Sequence, residues 1–414
     1  MNAVLFEMQT DQTLIAAEVP SQRVLEIAVT APAALTNRPR PALNLSLIID
    51  RSGSMQGEKL AYVKEAAVHV LDLLQEQDRV SVVAYDDQIT SLSTGVQVSS
   101  ENRSQLKASI RGLEAGNTTD LSGGWLTGCQ HIAAGQLENG LNRALLLTDG
   151  LANRGITDLE ELGHHARQLH ARGISTSTFG VGEGFNEHLL EQMSNMGGGN
   201  FYYIETPRGI PEIFERELKE LAAVTAREVE VTLEIPAQVD AQVLGGWKHE
   251  KTGGLLRLSL GDMAASQRRE VYVKLLTPPQ AASPELVVTG KVIARGEDSS
   301  LHEAKGVLRF TYASQADVQA SPADQEVLRR CSSVEVAEAA TEALKLERQG
   351  ERERAKQVLH QAMESAAPLM PASDVAYYQT LSNRMADGLA EQDRKASHQR
   401  AYRQKQRRDP GSGA

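Results

Sequence analysis

A short stretch of the sequence places several oxygen-bearing side chains close together. The apolar run at 43–49 leads directly into Asp50, Ser52 and Ser54 in the pattern D-x-S-x-S, so one carboxylate and two hydroxyls share a single loop. Oxygen ligands of mixed charge suit a hard divalent cation such as Mg²⁺, which keeps several waters and needs few carboxylates. The same residue types also occur where Ser52 or Ser54 only caps the following helix. The pentapeptide alone leaves a metal site and a helix cap as alternatives.

Two further loops carry oxygen ligands that could reach the same point. Thr118 and Thr119 lie in a predicted loop before a helix, and the apolar strand at 144–148 is followed by Asp149 and the turn residue Gly150. Open α/β sheets bind ligands in the loops at the carboxyl ends of their strands. We therefore predict that the three loops converge on one metal site.

Alternating strands and helices position these loops. Between residues 41 and 225, buried strands are predicted at 43–49, 80–85, 144–148 and 175–179, and a final helical pattern follows at 210–221. Amphipathic helices are predicted between the strands, and the apolar face of the first consists of Leu60, Val63, Ala67, Val70, Leu71 and Leu74. This alternation predicts an α/β fold with a doubly wound, mainly parallel sheet covered by helices on both faces.

The hydrophobic period changes to two between residues 227 and 313. Apolar and polar residues alternate there in runs that predict strands at 229–235, 256–260, 271–275, 285–295 and 307–312. Several strands at this spacing predict an antiparallel β-sandwich. Residues 3–31 carry the same alternation, but two or three strands are too few to be stable alone. We expect them to complete the sandwich, with the α/β block inserted into it.

The last stretch, 323–408, has helical patterns and no strand signal. Pro322, Gly350, Pro368 and Pro371 divide it into three predicted helical segments. The hairpin around Gly350 is similar to one tetratricopeptide unit, but no second copy occurs at that period, so a repeat array is not supported. The predicted segments are N-terminal strands of a split β-sandwich at 1–35, an α/β domain at 36–226, the rest of the sandwich at 227–315, a helical region at 316–408 and a disordered tail at 409–414.

Length and composition favour a large globular protein. At about 150 residues per domain, 414 residues predict two to three domains. Two cysteines, Cys129 and Cys331, exclude a disulfide framework and a cysteine zinc site. Aromatic residues make up only 4%, which argues against a surface that stacks single-stranded nucleic acid.

Charge is distributed unevenly along the chain. Residues 394–414 carry seven Lys or Arg side chains and one acid, Asp409, and since the whole chain carries −11, residues 1–393 carry −17. An acidic body is a poor electrostatic partner for nucleic acid. The basic tail is interpreted either as a solvated helix end or as an electrostatic contact with an acidic surface, on a partner or on this protein.

The first residues of the sequence suggest a cytoplasmic protein. They contain no basic region and no apolar stretch long enough for a signal peptide. Nowhere do about 18 apolar residues run together, so no membrane span is predicted.

Three other motifs receive structural interpretations. The glycines at 180–184 follow a strand in the spacing G-x-G-x-G, but Phe185 stands where a dinucleotide-binding loop has its last glycine, so we interpret them as turn residues. Asp86 and Asp87 are interpreted as a polar turn between strands rather than as metal ligands. A solvated helix face accounts for the histidines His164, His165 and His170.

Five residues in order carry a resemblance to a known family: Asp50, Ser52, Ser54, Thr119 and Asp149. Together with the strand and helix pattern over 41–225, they resemble the metal-ion-dependent adhesion site of the von Willebrand factor type A family. Thr119 is chosen over Thr118 because Asp120 and Leu121 follow it, as in the family's usual pattern. The segments SLIIDRSGSM and VGEGFNEHLLEQMSNMGGGNFYYIE are similar to the bacterial intracellular branch of this family.

The resemblance implies a role for each of the five residues. Ser52, Ser54 and Thr119 would bind the ion directly or nearly so, and Asp50 and Asp149 would bind it directly or through water. An open coordination position would accept a carboxylate from a partner protein. Mg²⁺ is the expected ion, with Mn²⁺ and Ca²⁺ as alternatives. Bacterial relatives often accompany AAA+ ATPases, or kinase and phosphatase partners, so the resemblance offers these as partner classes.

We therefore expect a non-catalytic, divalent-metal-dependent protein-binding module that captures a Glu or Asp of its partner. Two alternatives remain open. The protein could be a scaffold that binds through its sandwich and helices and has a vestigial metal site. It could also be a metal-dependent hydrolase, although Ser52 stands where a phosphatase of the haloacid-dehalogenase type needs its second carboxylate, and no G-x-S-x-G motif occurs.

Overall fold

The computed structural model describes residues 3–34, 40–280, 285–296 and 300–406. The chain separates into two units, each with its own core. One unit runs from Ala34 to Val224. The other combines the chain up to Ala33 with the chain from Thr225 onward, so the first unit is inserted into the second along the sequence.

The described residues contain sixteen strands and eleven α-helices. The strands are β1 (Leu5–Thr10), β2 (Leu14–Ala16), β3 (Ser21–Thr30), β4 (Leu43–Asp50), β5 (Arg79–Tyr85), β6 (Ile89–Gln97), β7 (Leu141–Thr148), β8 (Ile174–Val181), β9 (Gly198–Ile204), β10 (Val224–Glu234), β11 (Asp240–Val243), β12 (Lys248–Thr252), β13 (Leu255–Ala264), β14 (Arg268–Thr277), β15 (Leu286–Gly296) and β16 (Leu301–Ala313). The helices are α1 (Glu58–Leu73), α2 (Ser100–Arg111), α3 (Leu121–Ala134), α4 (Leu159–Ala171), α5 (Glu187–Met196), α6 (Ile210–Ala222), α7 (Gln315–Ala320), α8 (Gln325–Arg348), α9 (Arg352–Ala366), α10 (Ala372–Asp387) and α11 (Glu391–Gln406). Within this part of the chain, no helix is both long and apolar enough to cross a membrane.

The inserted unit is built on one six-stranded sheet in the order β6-β5-β4-β7-β8-β9. Every neighbouring pair is parallel except β5 and β6, which are antiparallel. All residues of β4, β7 and β8 are buried, as expected for parallel strands covered on both faces. On one face, Leu45 and Leu47 share a hydrophobic core with Val63 and Val70 of α1. The predicted doubly wound, mainly parallel α/β sheet is confirmed.

Two glycines let α3 lie close against this sheet. A Cβ atom added at Gly124 would lie 2.5 Å from Cγ of Tyr85, and one added at Gly128 would lie 2.6 Å from Cγ1 of Ile48. Both distances are much shorter than a van der Waals contact, so only glycine fits at these two positions. The close packing keeps the N-cap residue Asp120 beside the end of β5, where its N–H donates to the carbonyl of Asp86 (2.8 Å).

The hydrophobic pattern did not predict helix α5 or strand β9 of this unit. The side chain of Asn186 accepts from the Leu189 N–H (3.2 Å) and so starts α5. Strand β9 begins with two glycines, and Gly198 has a φ of +67°. Such residues are typical of a turn, which explains why the strand at the edge of the sheet escaped prediction.

The second unit contains a β-sandwich of two sheets. One sheet has the order β1-β3-β14-β11 and the other the order β12-β13-β10-β15-β16-β2. Strand β3 pairs with β14 over ten residues, from Ser21 opposite Thr277 to Thr30 opposite Arg268. The N-terminal strands therefore complete the sandwich, as predicted. The sandwich is not wholly antiparallel as predicted, because in its six-stranded sheet the three-residue strand β2 runs parallel to β16.

The C-terminal region contains four helices after residue 323, where three were predicted. The third predicted segment is divided into α10 and α11, because Gly388 follows α10 with a φ of +93°. Glycine adopts this left-handed conformation without strain and commonly ends a helix. The pattern of prolines that suggested three segments gave no signal for this break.

Helix α11 shows that the basic tail is not a solvated helix end over 391–406. Lys395 is fully buried, and Arg394 donates from Nε to Glu347 of α8 at 2.8 Å. Arg400 pairs with Asp374 of α10 at 2.7 Å, and its guanidinium lies 3.8 Å from the centre of the Tyr377 ring. Arg394 and Arg400 of the tail therefore contact acidic side chains of this chain. The predicted disordered tail, 409–414, lies outside the described residues.

The ion pair between Arg394 and Glu347 is expected to stabilise α11 in a pH-dependent way. Burial raises the pKa of Glu347, but the hydrogen bonds from Arg394 and from the Leu389 N–H, together with the positive charges of Arg394 and Arg352, outweigh burial and hold that pKa below its usual value. Glu347→Gln should lower the free energy of unfolding at neutral pH by about 2–3 kcal/mol, less than the full cost of breaking a buried ion pair because the amide still accepts from Arg394.

The sign of the pH dependence follows from the lowered pKa. A depressed carboxyl pKa stabilises the fold above the usual glutamate value, and this stabilisation is lost as pH falls through the folded-state pKa. Urea unfolding of both proteins at about pH 7 and about pH 3 measures the change. Glu342→Gln, exposed on the same helix, is the control. An unfolding difference that is the same at both pH values would contradict the prediction.

Candidate metal centre

The loop after β4 is held against its neighbours by backbone hydrogen bonds. The Arg51 N–H donates to the carbonyl of Tyr85 at the end of β5 (2.8 Å). The Gly53 N–H donates to the carbonyl of Asn117 (2.8 Å), and the Gly116 N–H donates back to the carbonyl of Arg51 (2.6 Å). The D-x-S-x-S loop is therefore fixed against the segment that leads into α3.

Asp50 is fully buried, and each of its carboxylate oxygens accepts a hydrogen bond. Oδ1 accepts from the Ser52 N–H (2.8 Å), and Oδ2 accepts from Oγ1 of Thr148 (2.6 Å). Thr148 is the last residue of β7, so the second bond joins the ends of two neighbouring strands. The orientation of this carboxylate is set by both strands.

The two serines link Asp50 to Asp149. Oγ of Ser52 lies 3.2 Å from Oγ of Ser54, which in turn donates to Oδ1 of Asp149 at 2.7 Å. Asp149 is also buried. Four of the five predicted ligands are thus connected by hydrogen bonds, Asp50 through the backbone N–H of Ser52 and the other three through their side-chain oxygens.

Thr119 completes the set from the loop before α3. Its N–H donates to Oδ1 of Asn153 (2.9 Å), and its carbonyl accepts from the N–H groups of Asn153 and Arg154, both at 3.2 Å. A Cβ atom added at Gly150 would lie 3.4 Å from Oγ of Ser54 and 3.8 Å from Oγ1 of Thr119. Both hydroxyls therefore face the same small space, and glycine at position 150 leaves room beside them.

Burial and neighbouring charges shift the pKa values of two groups in the site, Asp50 and Tyr85. Burial, with a smaller contribution from the charge of Asp149, raises the pKa of Asp50 to about 6. Beneath the loops, the buried Tyr85 hydroxyl donates to the carbonyl of Leu147 at 3.4 Å. Burial and the nearby carboxylates raise the pKa of this phenol well above its usual value, so it stays protonated. A positive charge placed among these groups would be stabilised by both carboxylates.

Lys59 is a residue of the site that the sequence analysis missed. Its ammonium pairs with Oδ2 of Asp149 and donates to the backbone carbonyl of Ser54 at 3.3 Å. Lys59 lies in the first turn of α1, where the helix dipole favours acidic rather than basic side chains. A lysine at such a position was the signal that could have identified it.

Asp86 connects the turn after β5 to the D-x-S-x-S loop through hydrogen bonds. It accepts from Nη2 of Arg51 at 3.2 Å and from the N–H of Gln88 at 2.9 Å, so it holds the turn after β5 against the D-x-S-x-S loop. Asp87 instead lies 3.5 Å from a guanidinium nitrogen of Arg154. These contacts agree with the interpretation of this pair as a polar turn.

The donor set fits a hard divalent cation. It consists of two carboxylates and three hydroxyls, and in the part of the chain that the structure describes no three His, Cys, Asp or Glu side chains form a metal-binding group. Mg²⁺ needs few carboxylates and keeps several waters, whereas zinc prefers cysteine and histidine. The ammonium of Lys59 on Asp149 already shows that a cation is accommodated at this carboxylate.

The comparisons with known proteins agree with this architecture. Residues 44–216 match the von Willebrand factor type A domain. The chain is 28% identical over 406 residues to the uncharacterized protein sll0103 of Synechocystis, covering 93% of both chains. It is 31% identical over 204 residues to the uncharacterized protein YfbK of Escherichia coli, but this match covers 48% of the chain and only 35% of YfbK. A match to human inter-alpha-trypsin inhibitor heavy chain H1, 29% identical, covers 41% of the chain and 19% of that protein.

Two solved structures share the fold over most of the chain. A von Willebrand factor type A protein from Catenulispora acidiphila matches with a TM-score of 0.69 and 19% identity, covering 89% of both chains. The ArnB paralog VWA2 from Sulfolobus acidocaldarius matches with a TM-score of 0.65 and 16% identity, covering 98% of both. At these identities, the two structures establish the fold alone. The sheet order, the matched sequence and these shared folds lead to one conclusion: residues 44–216 of this chain match the von Willebrand factor type A domain and have its fold.

Proposed function

We propose that this protein is a non-catalytic module that captures an acidic residue of a partner protein through a bound divalent cation. Von Willebrand factor type A domains serve in protein interaction or adhesion and commonly bind a divalent metal ion. Mg²⁺ is the proposed ion, with Mn²⁺ and Ca²⁺ as alternatives. The proposed ligands, within a domain that we place at 36–226, are Asp50, Ser52, Ser54, Thr119 and Asp149.

One observation carries this proposal: the loop of Ser52 and Ser54 binds two buried carboxylates, Asp50 through the Ser52 backbone N–H and Asp149 through the two serine hydroxyls. Ser52 and Ser54 are in contact at 3.2 Å, and Ser54 reaches Asp149 at 2.7 Å. Oxygen atoms held at such spacing by two separate loops, with the Thr119 hydroxyl of a third loop facing the same space, are the ligands that a hard cation prefers. A serine that only capped α1 would not account for this arrangement, since the cap position of that helix is Gly57 and it has no side-chain cap.

The charge of the site favours an acidic ligand from outside. A bound divalent ion would supply a Lewis-acidic position that accepts a carboxylate oxygen. Three of the five proposed ligands are neutral hydroxyls, and Lys59 already neutralises part of the charge of Asp149. The protein therefore balances the ion incompletely, and a Glu or Asp of the partner balances the remainder. AAA+ ATPases and kinase or phosphatase systems are the partner classes we propose to look for.

The arrangement of the two carboxylates supports a binding role rather than catalysis. General acid–base catalysis needs a titratable group that can exchange a proton with the reacting atoms. Asp50 accepts hydrogen bonds from Ser52 and Thr148. Asp149 accepts a hydrogen bond from Ser54 and forms an ion pair with Lys59. Both carboxylates are therefore committed to the structure of the site.

Capture of partner protein in the presence and absence of chelator tests the proposed function. The immobilised full chain should retain a partner from native extract in Mg²⁺, lose it in EDTA and regain it when Mg²⁺ is restored in excess. Asp149→Ala should lose capture in Mg²⁺ while its circular dichroism spectrum stays that of the native fold. Asp72→Ala, which removes an exposed aspartate of α1, is the control and should capture normally.

Two outcomes would replace the proposal. Capture that survives both EDTA and Asp149→Ala would favour the scaffold alternative, in which the sandwich and helices bind the partner. Turnover of a phosphoester or peptide substrate that disappears in Asp50→Ala would favour a metal-dependent hydrolase.

A further inference from the structure

Lys59 brings a positive charge of the chain itself to the candidate metal centre. Its ammonium pairs with Oδ2 of Asp149 and also donates to the carbonyl of Ser54 at 3.3 Å. The side chain of Asp149 is fully buried, whereas that of Lys59 is 32% exposed. The ion pair therefore connects the interior of the site to its rim.

The lysine side chain is held in place by its ammonium group. It leaves the first turn of α1, and a Cβ atom added at Gly182 would lie 3.8 Å from Cε of Lys59, so its stem passes beside the loop after β8. Its ammonium then ends on two partners, the carboxylate of Asp149 and the carbonyl of Ser54. A side chain whose ammonium has two such partners is positioned rather than freely solvated.

The ion pair has a direct consequence for any metal that uses Asp149. Ser54 occupies Oδ1 of this carboxylate and Lys59 occupies Oδ2, so both oxygens already have a partner. A divalent cation nearby would be repelled by the ammonium, and at the distances within one site this repulsion is only partly screened by water and salt. The metal must share Asp149 with Lys59 or displace it.

Building on the proposed function, we propose that Lys59 is a positioning residue that competes with the divalent cation for Asp149 and keeps the metal affinity of the free chain low. A partner carboxylate at the site adds negative charge and offsets the same repulsion. Metal and acidic partner therefore bind more tightly together than either does alone, and by linkage each raises the affinity of the other by the same factor.

Titration of the full-length protein with Mn²⁺ alone tests this inference, with free Mn²⁺ followed by its electron paramagnetic resonance signal. Lys59→Met keeps an unbranched stem and removes the charge, so its Kd for Mn²⁺ should be lower than that of the wild-type protein, on the order of tenfold. Lys59→Arg keeps the charge and should retain the weak wild-type affinity. Lys64→Met, a lysine on the same helix that donates to the carbonyl of Arg111, is the control for removing one positive charge and should also match wild type.

The direction of the change separates this role from a structural one. A lysine that only stabilised the loop would weaken metal binding when replaced, because Asp149 would lose its support. A Kd in Lys59→Met that is unchanged or higher, in a wild-type protein that binds Mn²⁺, would overturn the inference and leave the proposed function standing. If neither protein binds Mn²⁺, both the inference and the proposed function are wrong.

Discussion

Replacing both loop serines, in Ser52→Ala with Ser54→Ala, is expected to abolish measurable divalent metal binding while the protein stays folded. The two hydroxyls are proposed ligands, and even the outer partners of metal ligands are worth roughly 10–100-fold in affinity, so losing two ligands should cost about 100-fold or more. The protein should stay folded, because the hydrogen bond from Ser54 to the carboxylate of Asp149 contributes about 1.5–3 kcal/mol, less than the total stability of a typical domain. Isothermal titration with Mg²⁺ or Mn²⁺ measures the first effect and thermal unfolding the second.

The matched control replaces two serines away from the site. Ser104 and Ser109 are exposed on α2, so Ser104→Ala with Ser109→Ala should bind metal like the wild-type protein, with one site per chain. Metal binding that is unchanged in the variant of residues 52 and 54 would rule out the proposed site.

Deleting residues 3–31 is expected to prevent the second unit from folding and to cause aggregation. Strand β3 is an inner strand of its sheet, between β1 and β14, and its side chains Leu25, Ile27 and Val29 are buried in the sandwich core. At about 1.5–3 kcal/mol for each buried aliphatic side chain, the loss from these three residues alone is comparable to the total stability of many domains. The edge of β14 that pairs with β3 would also be left open to other chains.

Single substitutions test the contribution of β3 to the sandwich core in a protein that still folds. Ile27→Ala should lower the free energy of unfolding by about 2–5 kcal/mol in urea. Leu5→Ala, on the neighbouring strand but 62% exposed, should change it by less than about 0.5 kcal/mol. A soluble, monomeric protein of residues 32–414 with the native melting profile would contradict this account of the sandwich.

Local sequence patterns predicted those strands and helices whose burial is visible in a short run of apolar residues. The apolar runs that became β4 and β7 were identified because helices cover both faces of these strands, and every residue in them is buried. Strand pairing between distant segments could not be predicted in this way, since the parallel pairing of β2 with β16 joins residues 14–16 to residues 311–313. Breaks that depend on backbone conformation, such as the one at Gly388, were also missed because the same residue is tolerated within a longer helical pattern.

The site was predictable where the chain itself brings ligands together, and less so where folding does. Ser52 and Ser54 lie on one loop with Asp50, and their role could be proposed from spacing alone. Lys59 lies close to these residues in the sequence, but its ion pair is with Asp149, ninety residues away along the chain. The basic tail was interpreted from its charge alone, whereas its burial depends on acidic side chains of α8 and α10 such as Glu347.

The central claim is that the oxygen set at the ends of β4 and β7 holds a divalent cation with a position open to an external carboxylate. A crystal of the full-length protein grown with Mn²⁺ and acetate, examined by anomalous scattering, tests it most directly. We predict one anomalous peak about 2.0–2.3 Å from Oγ of Ser52 and of Ser54, with water or acetate completing the coordination. An ion bound elsewhere, or the native loop with no peak among these residues at saturating Mn²⁺, would contradict the claim.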